Sequence, residues 1–410
     1  MMLMDDVTKQ SVINIGTLGH IDHGKTSLVK ALTNIWTDKH SESIKRNMTI
    51  ILGYADAVIR KCEKCEGPQA YTITEKCANC SGPAKPVMRF SIVDAPGHEN
   101  LMATAIAGAN MINAILFVIA ANEPCPMQQT KEHLMIINIL GIKNVIIVQT
   151  KIDIVGKAAT LEHYKQIKQF IKGSVIENAP IVPVMANKGI NVDVVLELIA
   201  KMEKPRFDTD AEPFMYVIRS FDTNRPGAKV GSLLGGVVGG TLIRGRFKVH
   251  DEIEIRPGMN LSSSQKHASY KPIVTLVTGI SNGTDILEEA SPGGLIGLST
   301  ELDPSFTKAN GLMGNVAGHV GKLPDVMNSV EIAYNPLNRP DIQERSFAED
   351  ESVVLIAGTA TVIGYVRKAK KNRLSVELNH PICIDKQTKI AVMRSVSHRW
   401  RLTGYAVLAG

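Results

Sequence analysis

Apolar and polar positions change rhythm twice along the chain. In "SVINIGTLGHIDHGKTSLVKALTNIW", Val12, Ile13 and Ile15 suit a short strand, and Leu28, Val29, Ala31 and Leu32 then recur at helical spacing. Further on, "RFSIVD", "AILFVIAANE" (Ala114–Glu123), "NVIIVQTKIDIV" (Asn144–Val155) and "APIVPVMANKG" (Ala179–Gly189) are near-continuous apolar runs. Runs of this kind alternating with helix-like segments predict an α/β domain, a doubly wound and mostly parallel sheet covered on both faces.

"MEKPRFDTDAEPF" (Met202–Phe214) interrupts that pattern with two prolines and dense charge. Beyond it come short strands with turns, "FMYVIRSF", "TLIRGRFKV", "DEIEIRPG" and "KPIVTLVTGI", a rhythm that predicts a β-barrel. The glycine pairs 235–236, 239–240 and 293–294 fit barrel corners or close backbone approach. A second boundary at Leu323-Pro324 precedes another β-rich stretch. The expected domains are 1–205, 206–323 and 324–410, the last two both barrels. "SFAEDES" (Ser346–Ser352) reads as an exposed acidic loop. "RKAKKNR" (Arg367–Arg373) reads as a basic hairpin tip, either a solvated turn or an RNA contact, and Arg394, Arg399 and Arg401 stand under the same two readings.

Composition narrows the class. The 410 residues are 44% hydrophobic and 21% charged, with a net charge of +6, which suits a globular protein of several domains and permits an anionic partner. No run reaches the ~18 apolar residues of a membrane span. "MMLMDDVTKQ" lacks the basic start and apolar stretch of a signal peptide, so the expectation is a cytoplasmic protein that does not engage a membrane. The chain opens almost at the phosphate loop, and no long N-terminal extension is expected. Reduced thiols follow from that compartment, so paired cysteines point to metal rather than disulfide.

Residues Gly19 to Thr26 fit G-x-x-x-x-G-K-[ST] between a strand and a helix. Backbone N–H groups of Asp22, His23, Gly24, Lys25, Thr26 and Ser27 would crowd around phosphate oxygens at the positive end of a helix. Lys25 would bridge the β- and γ-phosphates and the Thr26 hydroxyl would bind Mg²⁺. In "DAPGH", Asp94 would face the metal, Gly97 would offer an unobstructed N–H to the γ-phosphate, and His98 would order the attacking water. Lys151 and Asp153 of "QTKID" follow a strand, where a carboxylate accepts both Watson–Crick donors of guanine and rejects adenine. The usual signature there is N-K-x-D, so Thr150 is a departure. Met185-Ala186-Asn187 replaces the customary supporting Ser-Ala, leaving the Ala186 N–H for the base oxygen. Each lost neutral hydrogen bond costs roughly 0.5–1.5 kcal/mol, so guanine specificity with weakened affinity is expected.

Gly-His-Ile-Asp-His-Gly-Lys-Thr with Asp-Ala-Pro-Gly-His resembles the translational GTPases. "IKRNMTIILGYADAVIRKCEKC", "MYVIRSFDTNRPG", "GGVVGGTLIRGRFKVHDEIEIRPG", "GGLIGLSTELDP" and "HRWRLTGYAVL" narrow the resemblance, over nearly the whole chain, to the gamma subunit of eukaryotic and archaeal translation initiation factor 2. That resemblance implies a GTPase domain followed by two β-barrels, and a GTP-dependent carrier of methionyl initiator tRNA to the small ribosomal subunit. Hydrolysis of GTP to GDP would be the release switch, slow without an activating protein. It implies alpha and beta subunits, bound through the first barrel and the GTPase domain, together with GTPase-activating and nucleotide-exchange proteins. The aminoacyl end would lie between the GTPase domain and the first barrel. Thr49 matches the switch residue whose hydroxyl closes onto Mg²⁺, within Arg46-Asn47-Met48-Thr49 where Arg-Gly-Ile-Thr is usual. Asp22 and the Asn47 carbonyl match positions for a second Mg²⁺. Cys62, Cys65, Cys77 and Cys80, spaced C-x2-C-x11-C-x2-C, match a zinc knuckle over 62–80, four thiolates for a structural Zn²⁺; the alternative is four free thiols. Cys125 and Cys383 are expected to be packing residues.

Three other readings account for the same residues. One is an elongation-type aminoacyl-tRNA carrier, against which the knuckle and "YADAVIRKC" weigh. Another is a structural platform subunit with a decayed nucleotide site, motivated by Thr150 and Met185 and opposed by Lys25, Thr26, Thr49, Asp94 and His98. The third is a metabolic enzyme on a related GTPase body, for which no second catalytic centre is visible.

Overall fold

The computed structural model describes residues 9–37, 53–94, 111–225, 227, 233–260, 270–337, 342 and 345–409. The chain forms two compact units, Met1–Arg206 and Phe207–Gly410.

The first unit holds a seven-stranded sheet with helices α1 (Lys25–Thr33), α2 (Gln128–Leu140), α3 (Ile152–Ile171) and α4 (Val192–Lys201). Its strands are β1 (Asn14–Leu18), β2 (Gly53–Cys62), β3 (Tyr71–Thr72), β4 (Ala84–Asp94), β5 (Ala114–Ala120), β6 (Val145–Thr150) and β7 (Ile181–Pro183), in spatial order 3-2-4-1-5-6-7. β4, β1, β5, β6 and β7 run parallel. Every residue of β1, β5 and β6 is buried, which is why β5 and the first four residues of β6 each read as a continuous apolar run. Ile15, Ile92, Leu116 and Val148 pack with Leu28 and Leu32 of α1 and Val195 and Ile199 of α4.

β2 departs from the parallel pattern. It runs antiparallel to β4 from Gly53↔Asp94 at one end to Cys62↔Ala84 at the other, and β3 pairs antiparallel at its outer edge. The ladder breaks register once, between Ile59↔Met88 and Arg60↔Pro86, where Val87 is the extra residue. Pro86 has no N–H to give a ladder, so a bulge beside it removes fewer hydrogen bonds than one elsewhere in the strand would.

In the second unit, β8 (Phe214–Phe221), β9 (Val237–Arg244), β11 (Glu252–Asn260), β12 (Tyr270–Ser281), β15 (Ile296–Thr300) and β16 (Val316–His319) close a barrel through the β11–β12 pairing. β10 (Phe247–Lys248) pairs with β14 (Glu289–Ala290), β13 (Ile286–Leu287) extends β12, and a short α5 (Pro304–Thr307) follows β15. Gly235 and Gly240 stand against the carbonyls of Thr300 and Tyr216, where a Cβ would collide with backbone. A second closed barrel follows, β17 (Met327–Pro336), β18 (Ser352–Ala357), β19 (Ala360–Lys370), β20 (Arg373–Ile382), β21 (Ile390–Val396) and β22 (Arg399–Leu408), in order 17-20-19-18-21-22. Arg244 pairs with Asp385 between the barrels, and Arg256 Nη1 donates to the carbonyls of Leu323 (3.2 Å) and Pro324 (3.0 Å) at their junction.

Two surface expectations change here. Arg394 is 6% exposed and turned inward. It grips Glu351 through Nε (2.7 Å) and Nη2 (2.8 Å), donates to the carbonyls of Arg345 (2.6 Å) and Ser346 (3.1 Å), and lies 4.0 Å from the centre of the Phe347 ring. An arginine spent in this way has no fork left for phosphate, so its RNA reading is withdrawn. Glu351 is correspondingly the inward member of the acidic loop, while Glu349 and Asp350 are exposed. Arg367 pairs with Asp350 and with Glu377 (2.7 Å), whereas Lys368, Lys370, Lys371 and Arg373 are exposed at the β19–β20 tip. Among the described residues, no helix is long and apolar enough to cross a membrane.

Candidate functional site

β1, the central strand, delivers the chain into the phosphate loop at the C-terminal end of the parallel strands. Gly24 takes a left-handed conformation (φ 84°) as the residue that caps α1, a geometry that favours glycine. Asp22 also has positive φ (58°) and is exposed. Lys25 is 6% exposed, and its ammonium donates to the carbonyls of Gly19 (3.0 Å) and His20 (2.8 Å). Burial brings its pKa down to about 8, with Asp94 and Asp22 acting in the opposite direction. The lysine is folded back over its own loop, where phosphate oxygens would take the place of the two carbonyls.

Asp94 ends β4, directly beside β1, and is fully buried. Its Oδ1 accepts from the Thr17 hydroxyl at 2.7 Å. Its Oδ2 accepts from Thr26 and from Thr37, both at 2.8 Å. Thr26 thus has its hydroxyl proton on Asp94, and a hydroxyl oxygen turned in this way is the kind of donor a Mg²⁺ ion takes. Ser27 lies in the first turn of α1.

His23 is a junction. Its ring nitrogens lie 3.1 Å from the Val118 carbonyl and 3.2 Å from Glu123 Oε2. Burial pushes its pKa down to about 4, with the Val118 carbonyl and Glu123 opposing. Its own carbonyl accepts the Thr150 hydroxyl at 2.6 Å. Thr150 therefore faces the phosphate loop. Lys151 takes φ 57° at the start of α3, and Asp153 stands exposed in the first turn of that helix. Met185 pairs with Ile190 on either side of a short 3₁₀ turn containing Ala186 and Asn187, with Asn187 exposed. The ends of β1, β4 and β6 therefore gather Lys25, Thr26, Asp94 and Thr150. Asn47, Thr49, Gly97 and His98 lie outside the described residues.

The four cysteines converge. Their sulfurs lie within 4.8 Å of one another, with Cys62–Cys80 at 3.5 Å and Cys65–Cys77 at 3.8 Å. Zn–S bonds of about 2.3 Å set at tetrahedral angles require S···S separations of about 3.8 Å, so the donor set fits one zinc ion. Gly82 closes the turn: a Cβ there would sit 3.2 Å from Cys80 Sγ. Beside the clip, Ala70 is fully buried, and Tyr71 and Ile73 pack on the sheet core. Of the other two cysteines, Cys383 is buried and donates to the Pro324 carbonyl (3.2 Å), and burial raises the thiol pKa of each to about 12.

Sequence reasoning missed Thr17, Thr37 and Glu123 as members of this neighbourhood. Thr17 carried a faint signal as one of two polar residues, with Asn14, in the strand that runs into the motif. Thr37 and Glu123 belong to no spacing pattern and are placed only by the fold.

Residues 10–205 match the family profile described as Elongation factor Tu GTP binding domain, and residues 328–408 match Initiation factor eIF2 gamma, C terminal. Translation initiation factor 2 subunit gamma of Archaeoglobus fulgidus is 46% identical over 402 residues, 97% of this chain and 94% of that protein. The protein of the same name from Methanocaldococcus jannaschii is 47% identical over 408 residues, 98% of each. Among solved structures, the bacterial selenocysteine-specific elongation factor EF-Sec superposes with a TM-score of 0.74 at 23% identity, over 98% of this chain and 58% of that one. Elongation factor SelB from Methanococcus maripaludis, solved with the GTP analogue GPPNHP, gives 0.72 at 21% identity, over 98% of this chain and 80% of that one. At these identities the two structures speak to the fold alone.

Proposed function

The chain belongs to the family of translation initiation factor 2 gamma subunits, and from that premise we propose that it carries methionyl initiator tRNA to the small ribosomal subunit in its GTP state and releases it on hydrolysis. It is a GTPase, needing GTP and Mg²⁺. It works as one subunit of the initiation factor; alpha and beta subunits, an activating protein and an exchange protein are the partners this reading assigns. The division into domains at 205/206 and 323/324 is part of the same reading.

The observation that carries it is the convergence of Lys25, Thr26 and Asp94 at the mouth of the parallel sheet, with Thr26 held on Asp94 at 2.8 Å. Backbone N–H groups from Gly24 to Ser27 and the Lys25 ammonium would hold the phosphates. Thr26 would hold Mg²⁺, with Asp94 behind it accepting the hydroxyl proton. When bound, the ion neutralises charge on the phosphate oxygens. His98 is assigned the water-ordering role and Thr49 the switch role, both from the sequence. Asp153 is assigned the reading of guanine, with Ala186 beside it, and Thr150 serves the phosphate loop instead of the base.

Equilibrium binding of GDP, GTP, XTP and ATP with Mg²⁺, followed by a comparison of methionyl initiator and elongator tRNA on the GTP form, tests the proposal. Preference for guanine nucleotides and for initiator tRNA is expected. No base preference would move the weight to a platform subunit, and indifference between tRNAs to an elongation-type carrier.

A further inference from the structure

We propose that Thr37 is a positioning residue for the metal-facing carboxylate Asp94, resting on the reading of Thr26 and Asp94 as the Mg²⁺ site. Asp94 is wholly enclosed and accepts three threonine hydroxyls. Thr17 takes Oδ1. Thr26 and Thr37 share Oδ2, each at 2.8 Å. A carboxylate rotates about one bond, so hydroxyls on both oxygens fix its plane, and among the described residues Thr37 is the one that approaches Oδ2 from outside the phosphate loop.

The segment carrying Thr37 is built to hold it there. Asn34 ends α1 in a left-handed conformation (φ 59°), with its N–H on the Lys30 carbonyl at 2.8 Å. The Thr33 hydroxyl donates to the Val29 carbonyl (2.8 Å) and accepts from the Ile35 N–H (3.1 Å). Lys30 lies over the Trp36 ring at 5.6 Å. Gly53 closes the other side. It pairs with Asp94 across the β2–β4 ladder, and a Cβ on it would sit 2.6 Å from Thr37 Cβ and 3.4 Å from Asp94 Cβ. Thr37 is therefore wedged between a glycine that must remain small and the carboxylate it donates to. Removing its hydroxyl leaves Oδ2, among the described residues, to Thr26 alone, so the geometry Thr26 presents to Mg²⁺ loosens.

The test is the Mg²⁺ concentration that half-suppresses GDP release, measured by stopped-flow with a fluorescent GDP analogue. Thr37→Val should raise it about tenfold, the scale of one hydrogen bond to a charged acceptor. Thr37→Ser should return it to within about twofold of the parent. Gly53→Ala should raise it without removing the hydroxyl, because the added methyl group displaces Thr37, sitting 2.6 Å from its Cβ and 3.2 Å from its Oγ1. Thermal unfolding of each variant is read alongside, since a purely structural role would lower the melting point and leave the Mg²⁺ midpoint alone. Thr26→Val separates the two readings. If it shifts the midpoint while Thr37→Val and Gly53→Ala do not, the role of Thr37 is overturned. If Thr26→Val itself leaves the midpoint unmoved, the metal-site assignment fails instead.

Discussion

The Thr150 hydroxyl donates to the backbone carbonyl of His23 at 2.6 Å, joining the end of β6 to the phosphate loop across 127 residues of sequence. The departure from N-K-x-D thus has a structural occupation: it braces the loop that cradles phosphate. His23 is braced again by its ring, on Val118 and Glu123. Thr150→Val should weaken GDP and inosine diphosphate by the same factor, about fivefold for one neutral hydrogen bond. Titration calorimetry with both nucleotides checks this. Unequal losses would place the hydroxyl at the base.

Lys25→Ala should abolish tight nucleotide binding while leaving the far-ultraviolet dichroism of the sheet intact. The ammonium lies folded against the phosphate loop, donating to two of its carbonyls. Unchanged GDP affinity would sink the phosphate-loop assignment.

His98→Ala should slow activated GTP hydrolysis by roughly 10²–10⁴-fold, the range for losing one positioned acid–base or water-ordering group. GDP affinity should stay at the parent value. A parallel loss of GDP binding, measured by equilibrium dialysis, would refute the water-ordering role.

Metal analysis of the purified protein should find one zinc per chain. Cys62→Ser with Cys65→Ser should remove it and lower the melting temperature of the first unit by about 5–10 °C, the scale of losing a ligand held well above its dissociation constant. Intact zinc in the double variant would overturn the clip.

Glu351 carries a pH dependence. Burial raises its pKa, but the hydrogen bonds and charge of Arg394 outweigh it and hold the carboxyl below its ordinary 4.5. The stabilisation is fully present above pH 4.5 and is lost as the pH falls through the depressed folded value. Thermal unfolding between about pH 3 and 6 should show this acid limb, and Glu351→Gln should flatten it. Glu351→Ala strands the Arg394 guanidinium and should cost about 3–5 kcal/mol at neutral pH.

Much of the first unit was legible because its chemistry is contiguous. Gly24, Lys25 and Thr26 carry their geometry in local spacing, and β5 and β6 are buried on both faces, so they show as apolar runs. The four cysteines were legible for the same reason. What stayed hidden depends on partners far along the chain. Arg394 looks like any surface arginine until Glu351 and Phe347 arrive beneath it. Thr37 reads as a linker residue because its partner is 57 positions away. The antiparallel course of β2 was hidden because a strand's direction is set by the connections at its two ends, not by its own residues.

The β2–β4 ladder is a ruler with the thiol clip at one end and Asp94 at the other, and its single irregularity makes it an insulated one. From Gly53↔Asp94 to Ile59↔Met88 the pairing is unbroken, and the spare residue Val87 lies on the cysteine side of that run. A slip of one residue turns every side chain of a strand to the opposite face, so the unbroken stretch cannot creep without tearing Ala55, Ile59, Phe90 and Ile92 out of the core. A shift of the clip would meet the spare residue Val87, where the ladder already gives, before it reached the nucleotide end.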